Sequence, residues 1–172
     1  VPTGAKTDTI KKISEMKDVL EIQQAITKAA RESLEKFGFL EIIPPVLVDV
    51  TDPGLRGAGI FEVDFYGKKY KLTSSMMVQK ISAASAIGKV FALSPCFRKE
   101  QKEALETGRH LSEFWQIDVE MQGEKELAMT VAETMLRDVI KGVTETKAKE
   151  LQKLGRELKI PKIPFERLTH EE

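Results

Sequence analysis

Residues 111–121 read Leu111-Ser112-Glu113-Phe114-Trp115-Gln116-Ile117-Asp118-Val119-Glu120-Met121, the longest alternating stretch in the chain. A period of two puts Leu111, Trp115, Ile117, Val119 and Met121 on one face, with Glu113 the exception, and Ser112, Phe114, Gln116, Asp118 and Glu120 on the other. The apolar face accounts for a strand. Two carboxylates and a phenylalanine on the opposite face do not follow from packing. If Cys96-Phe97-Arg98-Lys99-Glu100 pairs antiparallel with this strand, Arg98 and Glu100 join that face. Arginine supplies a fork of donors for phosphate, Phe114 a stacking surface, and Glu100 an acceptor for an exocyclic amine. Asp118 suits an ammonium group. The same pattern also reads as a solvent-facing strand whose charges pair with one another.

The neighbouring segments fit this sheet. Val90 to Leu93 reads as a short buried strand, followed after Ser94-Pro95 by a separate strand over 96–100. The long charged connection from Gln101 to His110 is either a solvated loop or one that closes over a ligand, with Arg109 and His110 able to reach a polyphosphate. Upstream, Ser74 and Ser75 sit where a helix to Ile87 begins, and Gly88 closes it. Ile60 to Phe65 and Tyr70 to Thr73 flank Tyr66-Gly67-Lys68-Lys69 as a hairpin. Phe39-Leu40-Glu41-Ile42-Ile43 is a short strand halted by Pro44-Pro45. Thr51 to Gly59, rich in glycine and proline, is a loop. A helical run opens the chain, capped among Thr7, Asp8 and Thr9 and ended at Gly38, and an amphipathic helix follows Gly123. Thr144 or Thr146 caps a further helix to Leu158, and Thr169 starts another. Helices around an antiparallel sheet make an α+β fold.

Composition narrows the function. The 172 residues hold 27 Lys+Arg and 27 Asp+Glu, so no global basic field attracts nucleic acid. With 41% hydrophobic and 31% charged residues, neither a disordered tail nor a membrane span fits. Cys96 alone excludes an internal disulfide and reads as a small buried hydrophobe, and the two histidines, His110 and His170, do not make a metal centre. Met76 and Met77 read as core. No charged-then-apolar leader opens the chain, which points to a cytoplasmic protein without a membrane partner.

Phe97-Arg98-Lys99-Glu100, the loop, and then Arg109-His110-Leu111-Ser112-Glu113-Phe114 resemble motif 2 of class II aminoacyl-tRNA synthetases. Trp115-Gln116-Ile117-Asp118-Val119-Glu120-Met121 continues it in the manner of the aspartyl/asparaginyl branch. Gly38 to Leu47 is similar to motif 1, with Pro45 as its proline. Gly57 to Phe65 is similar to that branch's lead-in, and Pro164-Phe165-Glu166-Arg167-Leu168-Thr169 to a later linker of the same domain. The order is that of the family, and it covers most of the chain.

The resemblance implies a class II synthetase-like α+β core whose substrates are ATP and an amino acid. Arg98 would hold the α-phosphate and the substrate carboxylate, as the catalytic residue. Glu100 would accept from the adenine amine, Phe114 would stack on the ring, and Arg109 or His110 would touch the γ-phosphate. Asp118, helped by Ser74, would hold the amino acid's ammonium. The family's Gln-Ser-Pro-Gln segment stands here as Thr73-Ser74-Ser75-Met76. The aspartate-specific lysine falls at Gln79, and a substrate-binding loop glutamate at Leu55. The family's Mg2+ carboxylate belongs with motif 3, which the chain does not reach. The expectation is therefore a single partial domain over residues 1–172, truncated before motif 3, without an anticodon-binding domain and without metal ligands of its own. Motif 1 implies a homodimer. Three activities follow from the resemblance: adenylation of aspartate or asparagine with ammonia as acceptor, as in an archaeal relative that makes free asparagine; adenylation with tRNA as acceptor; or a non-catalytic dimer that binds nucleotide or amino acid.

Overall fold

In the computed structural model, residues 3–52 and 57–169 are described. The elements are α1 (Thr3–Glu15), α2 (Lys17–Lys36), β1 (Leu40–Glu41), β2 (Leu47–Val48), β3 (Glu62–Phe65), β4 (Lys68–Leu72), α3 (Met77–Ile87), β5 (Lys89–Phe97), α4 (Lys102–Glu106), β6 (Glu113–Met121), α5 (Lys125–Thr146) and α6 (Ala148–Lys153). The chain forms two compact units, residues 38–123 and residues 1–37 with 124–172. Among the described residues no helix is long and apolar enough to cross a membrane.

The helical unit is built on α2 against α5. Ala30 and Leu34 of α2, and Val131 and Val143 of α5, are buried. The helices approach closely where Gly142 faces Ala29: a Cβ added at Gly142 would lie 3.2 Å from that of Ala29. Ser33 donates to Asp138 across 3.0 Å, and Lys147 pairs with Glu21 at 3.0 Å. The opening helix begins earlier than its expected caps, so Thr7, Asp8 and Thr9 lie inside α1. It also divides at Met16, whose N–H is shared between the carbonyls of Lys12 and Ile13, a tightened turn that separates α1 from α2. Gly38, with φ +79°, follows the end of α2 as expected. The helix after Gly123 is longer than its cap signals suggest: Thr144 and Thr146 bond back to carbonyls within α5 rather than capping α6. The helix α6 ends at Lys153 rather than Leu158. Thr169 is in coil, and His170 lies outside the described residues, as does Leu55.

The other unit holds two three-stranded sheets, β1-β5-β6 and β2-β4-β3. In the first, β5 pairs antiparallel with β6 over nine residue pairs, from Lys89↔Met121 to Phe97↔Glu113. The sheet is not wholly antiparallel, because β1 joins β5 in parallel through Leu40↔Val90 and Glu41↔Phe91. The two strands expected over 90–93 and 96–100 are one continuous β5 that passes through Pro95. The register explains the tolerance. Arg98 N–H points to β6, bonding Ser112 at 2.9 Å, and Phe97 N–H points away to Thr73 at 2.8 Å. Pro95, in phase with Phe97, therefore turns its hydrogen-less nitrogen away from β6, where no ladder bond is lost.

The second sheet contains the expected hairpin with a shorter turn. Phe65 pairs with Lys68, leaving only Tyr66-Gly67 between β3 and β4. Both have positive φ, 51° and 72°, the conformation that suits the twist of paired strands. The N-cap of α3 is Met76 rather than Ser74 or Ser75, although Ser75 Oγ, one residue earlier, accepts the Met77 N–H at 3.2 Å, and Gly88 closes that helix with φ +98°. Met76 and Cys96 are fully buried, and Met77 is half-buried.

Candidate active site

The β5–β6 register sets one face of the sheet: Cys96 lies opposite Phe114, Ser94 opposite Gln116, Ala92 opposite Asp118 and Val90 opposite Glu120. Arg98 follows Cys96 by two residues and keeps its phase through the bond to Ser112. Its guanidinium carbon lies 5.0 Å from the Phe114 ring centroid, a cation–π contact that holds both side chains. The alternation of residues 111–121 thus places Phe114, Gln116, Asp118 and Glu120 together as the sequence suggests.

At the end of β5 the backbone is fixed tightly. Lys99 and Gly59 exchange both backbone hydrogen bonds at 2.9 Å, and Glu100 N–H bonds the Arg98 carbonyl at 2.8 Å. The charged connection is not wholly irregular, since it contains α4. Thr107 Oγ1 donates to the Ala104 carbonyl at 2.7 Å and accepts the Arg109 N–H at 3.2 Å, and Gly108 takes φ +67°, returning the chain to the sheet. The result is a cleft of about 320 Å³ lined by Arg98, Glu100, Arg109, His110, Leu111 and Phe114. All five residues expected to meet ATP line that one cleft. His110 Nδ1 lies 3.7 Å from Glu100 Oε1, and the Glu100 side chain is almost covered. Two guanidinium groups, an imidazole and one aromatic ring line the cleft, groups whose chemistry suits phosphate oxygens and a planar ring.

The remaining expected residues divide. Asp118 is half-buried beside a cation that its alternation does not reveal: Lys80 Nζ, on α3, sits 2.6 Å from Asp118 Oδ1 and 3.5 Å from Glu120 Oε2. Burial alone would pull the Lys80 ammonium down, but the two carboxylates outweigh it and hold its pKa above the ordinary lysine range. Two carboxylates two residues apart on one strand face call for a cation; this was the signal available in the sequence. Ser74 is fully buried. Its hydroxyl lies 2.8 Å from Thr51 Oγ1 and donates to the Asp52 carbonyl at 3.1 Å. Its side chain therefore anchors the segment at Thr51–Asp52 instead of helping Asp118, while its carbonyl faces Arg98 Nε at 3.5 Å. Gln79 is half-buried on α3, with Oε1 buried and without a hydrogen-bond partner among the described residues. Cys96 Sγ donates to Gln116 Oε1 at 2.9 Å, and burial pushes its thiol pKa up.

The cleft offers one carboxylate, Glu100, already facing His110, and no group of three His, Cys, Asp or Glu converges among the described residues.

The chain is similar in sequence and fold to known proteins. The family model for "tRNA synthetases class II (D, K and N)" matches residues 8–172. The aspartate–tRNA(Asp/Asn) ligase of Sulfurisphaera tokodaii is 35% identical over 159 residues, covering 92% of this chain and 36% of that protein. The asparagine–tRNA ligase of Koribacter versatilis is 33% identical, covering 90% and 35%. The crystal structure of asparaginyl-tRNA synthetase from Pyrococcus horikoshii complexed with asparaginyl-adenylate superposes with a TM-score of 0.72 at 30% identity, covering 79% of this chain and 30% of that one. The chain thus spans about a third of the length of the curated relatives it matches. With nearly its whole length matched by the family model, and with aspartate and asparagine ligases among its relatives, this chain belongs to the class II tRNA synthetases, in their aspartyl/asparaginyl branch.

Proposed function

We propose that this chain is the nucleotide- and amino-acid-binding core of an ATP-dependent ligase that activates aspartate or asparagine as its adenylate. The observation that carries the reading is the convergence of Arg98, Glu100, Arg109, His110 and Phe114 on one cleft. In the proposed reaction a carboxylate oxygen of the amino acid attacks the α-phosphorus of ATP. The bond to the bridging oxygen breaks, and pyrophosphate leaves. Arg98 neutralises charge on the α-phosphate and aligns the attacking carboxylate, so the step is one of positioning and electrostatics. Glu100 accepts from the adenine amine, Phe114 carries the ring, and Arg109 and His110 face the γ-phosphate. The family uses Mg2+ with ATP, and the ion would share the phosphate charge with Arg98 when bound.

At the amino-acid end, Asp118 and Glu120 bring two negative charges and Lys80 returns one. The remaining negative charge matches a single ammonium, which aspartate and asparagine both carry. The relatives named above are tRNA ligases, which favours tRNA over ammonia as the acceptor and makes the stand-alone asparagine synthetase the second reading. Around Pro44-Pro45, Leu40, Ile43, Val46, Leu47 and Val50 are exposed, and Ile43 is 96% so, which supports a homodimer through the motif 1-like segment. A cytoplasmic location belongs to the same proposal.

Calorimetric titration with ATP tests the cleft directly. Binding that is lost in Arg98→Ala and weakened in Phe114→Leu supports the reading, and equal binding by all three proteins refutes it.

A further inference from the structure

Glu133 is a buried carboxylate that the proposed reaction does not use. It lies on α5, and only 6% of the residue is exposed. Helical geometry turns it by about 200° from the buried Val131, so the two are covered by different neighbours. A charge is costly to bury unless it is paired and hydrogen-bonded. The pairing comes from the irregular segment after α6. Phe165 N–H donates to Glu133 Oε2 at 3.0 Å, and Arg167 forms an ion pair with Glu133 Oε1. Arg167 also donates to the Phe165 carbonyl at 3.3 Å. The turn over 165–167 is thus tied at its amide, its carbonyl and its charged side chain, and two of those ties end on one carboxylate. Residues 155–160 before it are exposed coil.

We propose that Glu133 is a latch: a buried carboxylate whose task is to strap residues 164–168 onto α5, fixing the path of a segment that has no helix or strand to hold it. The strap is local. Opening it exposes one turn and leaves the α2–α5 packing intact, so it opens below the free energy of global unfolding.

Hydrogen exchange read by mass spectrometry on the whole chain tests this, with wild type compared to Glu133→Gln and to the double variant Glu133→Met/Arg167→Met. The glutamine keeps the shape and removes the charge; the double variant removes both charges, so no buried carboxylate is left to destabilise α5. Peptides over 163–168 are expected to exchange at least tenfold faster in both variants, while peptides over 131–143 keep wild-type rates. Unchanged exchange over 163–168 in either variant would overturn the proposal. So would acceleration of both regions in equal proportion, because Glu133 would then serve the helix pair rather than the strap.

Discussion

The Arg98 guanidinium lies against the face of Phe114, 5.0 Å from its centroid, although Arg98 directly follows β5, Phe114 stands on β6, and the two are sixteen positions apart. The contact exists because the Arg98 N–H bond to Ser112 extends the antiparallel register beyond Phe97↔Glu113. It fixes a positive charge beside a ring surface, the two features a nucleotide presents in mirrored form. Arg98→Ala is expected to lower amino-acid activation by about 100-fold or more, the scale of losing a preorganised charge-stabilising donor. Phe114→Leu is expected to raise the KM for ATP by roughly tenfold with little change in kcat, since base stacking contributes about 1–3 kcal/mol. Steady-state kinetics separates the two, and equal effects on both constants in Phe114→Leu would count against a stacking role.

The amino-acid end rests on Lys80 and Asp118. Asp118→Asn leaves Lys80 with Glu120 alone at 3.5 Å and is expected to lower stability by about 2 kcal/mol, the range for hydrogen bonds to charged groups. It should also raise the amino-acid KM at least tenfold while leaving ATP binding near wild type. Urea denaturation and substrate titration check the two effects independently. A variant with normal stability and normal KM would remove Asp118 from the site.

Alkaline pH should weaken the fold in two stages. The Cys96 thiol, buried and hence raised in pKa, keeps its proton in the folded state at pH values where the unfolded chain loses it, so stability falls as pH rises past about 9. Lys80, raised by its carboxylate partners against the pull of burial, contributes stability that is complete below the unfolded lysine value near 10.5 and is lost as pH climbs through its higher folded value. Thermal melting between pH 7 and 11 should show both. Cys96→Ala should remove the first stage and leave the second.

Tyr66 holds φ 51° at a position that favours Asn or Gly, and it is 94% exposed. Tyr66→Asn relieves that conformation and forfeits an edge contact with Phe65 at 4.5 Å. A net gain of about 0.5 kcal/mol is expected from a two-residue turn of this kind. A lower melting temperature would show that the ring contact outweighs the backbone.

Ile43 offers the cleanest test of self-association. Ile43 is almost fully exposed beside Pro44-Pro45, and in a homodimer paired through this segment Ile43→Asp should shift the protein towards monomer in sedimentation without altering its helix content. A wild-type monomer at micromolar concentration would contradict the dimer.

Much of this architecture was legible in the residues because it depends on period and punctuation. The alternation at 111–121 revealed which side chains share the face of β6, and Gly38 and Gly88 marked helix ends. What escaped were relationships between distant segments. Nothing local says that Pro95 turns its nitrogen from the β6 ladder, so β5 reads as two strands. Ser74 looks like a polar residue free for substrate until Thr51 and Asp52, more than twenty positions earlier, are seen to occupy its hydroxyl. Lys80 looks like one more charge on a helix until α3 brings it to Asp118, 38 residues away. A resemblance that places the substrate lysine at Gln79 does not reveal the cation one position further on.

Arg98 and its neighbours are proposed to hold ATP for adenylation. ATP–pyrophosphate exchange, measured with aspartate and with asparagine on the natural protein that carries these 172 residues, tests it most directly. Exchange is expected to depend on one of these amino acids and to disappear in Arg98→Ala. Absence of exchange with either amino acid in the folded protein, or exchange undiminished in Arg98→Ala, would contradict it.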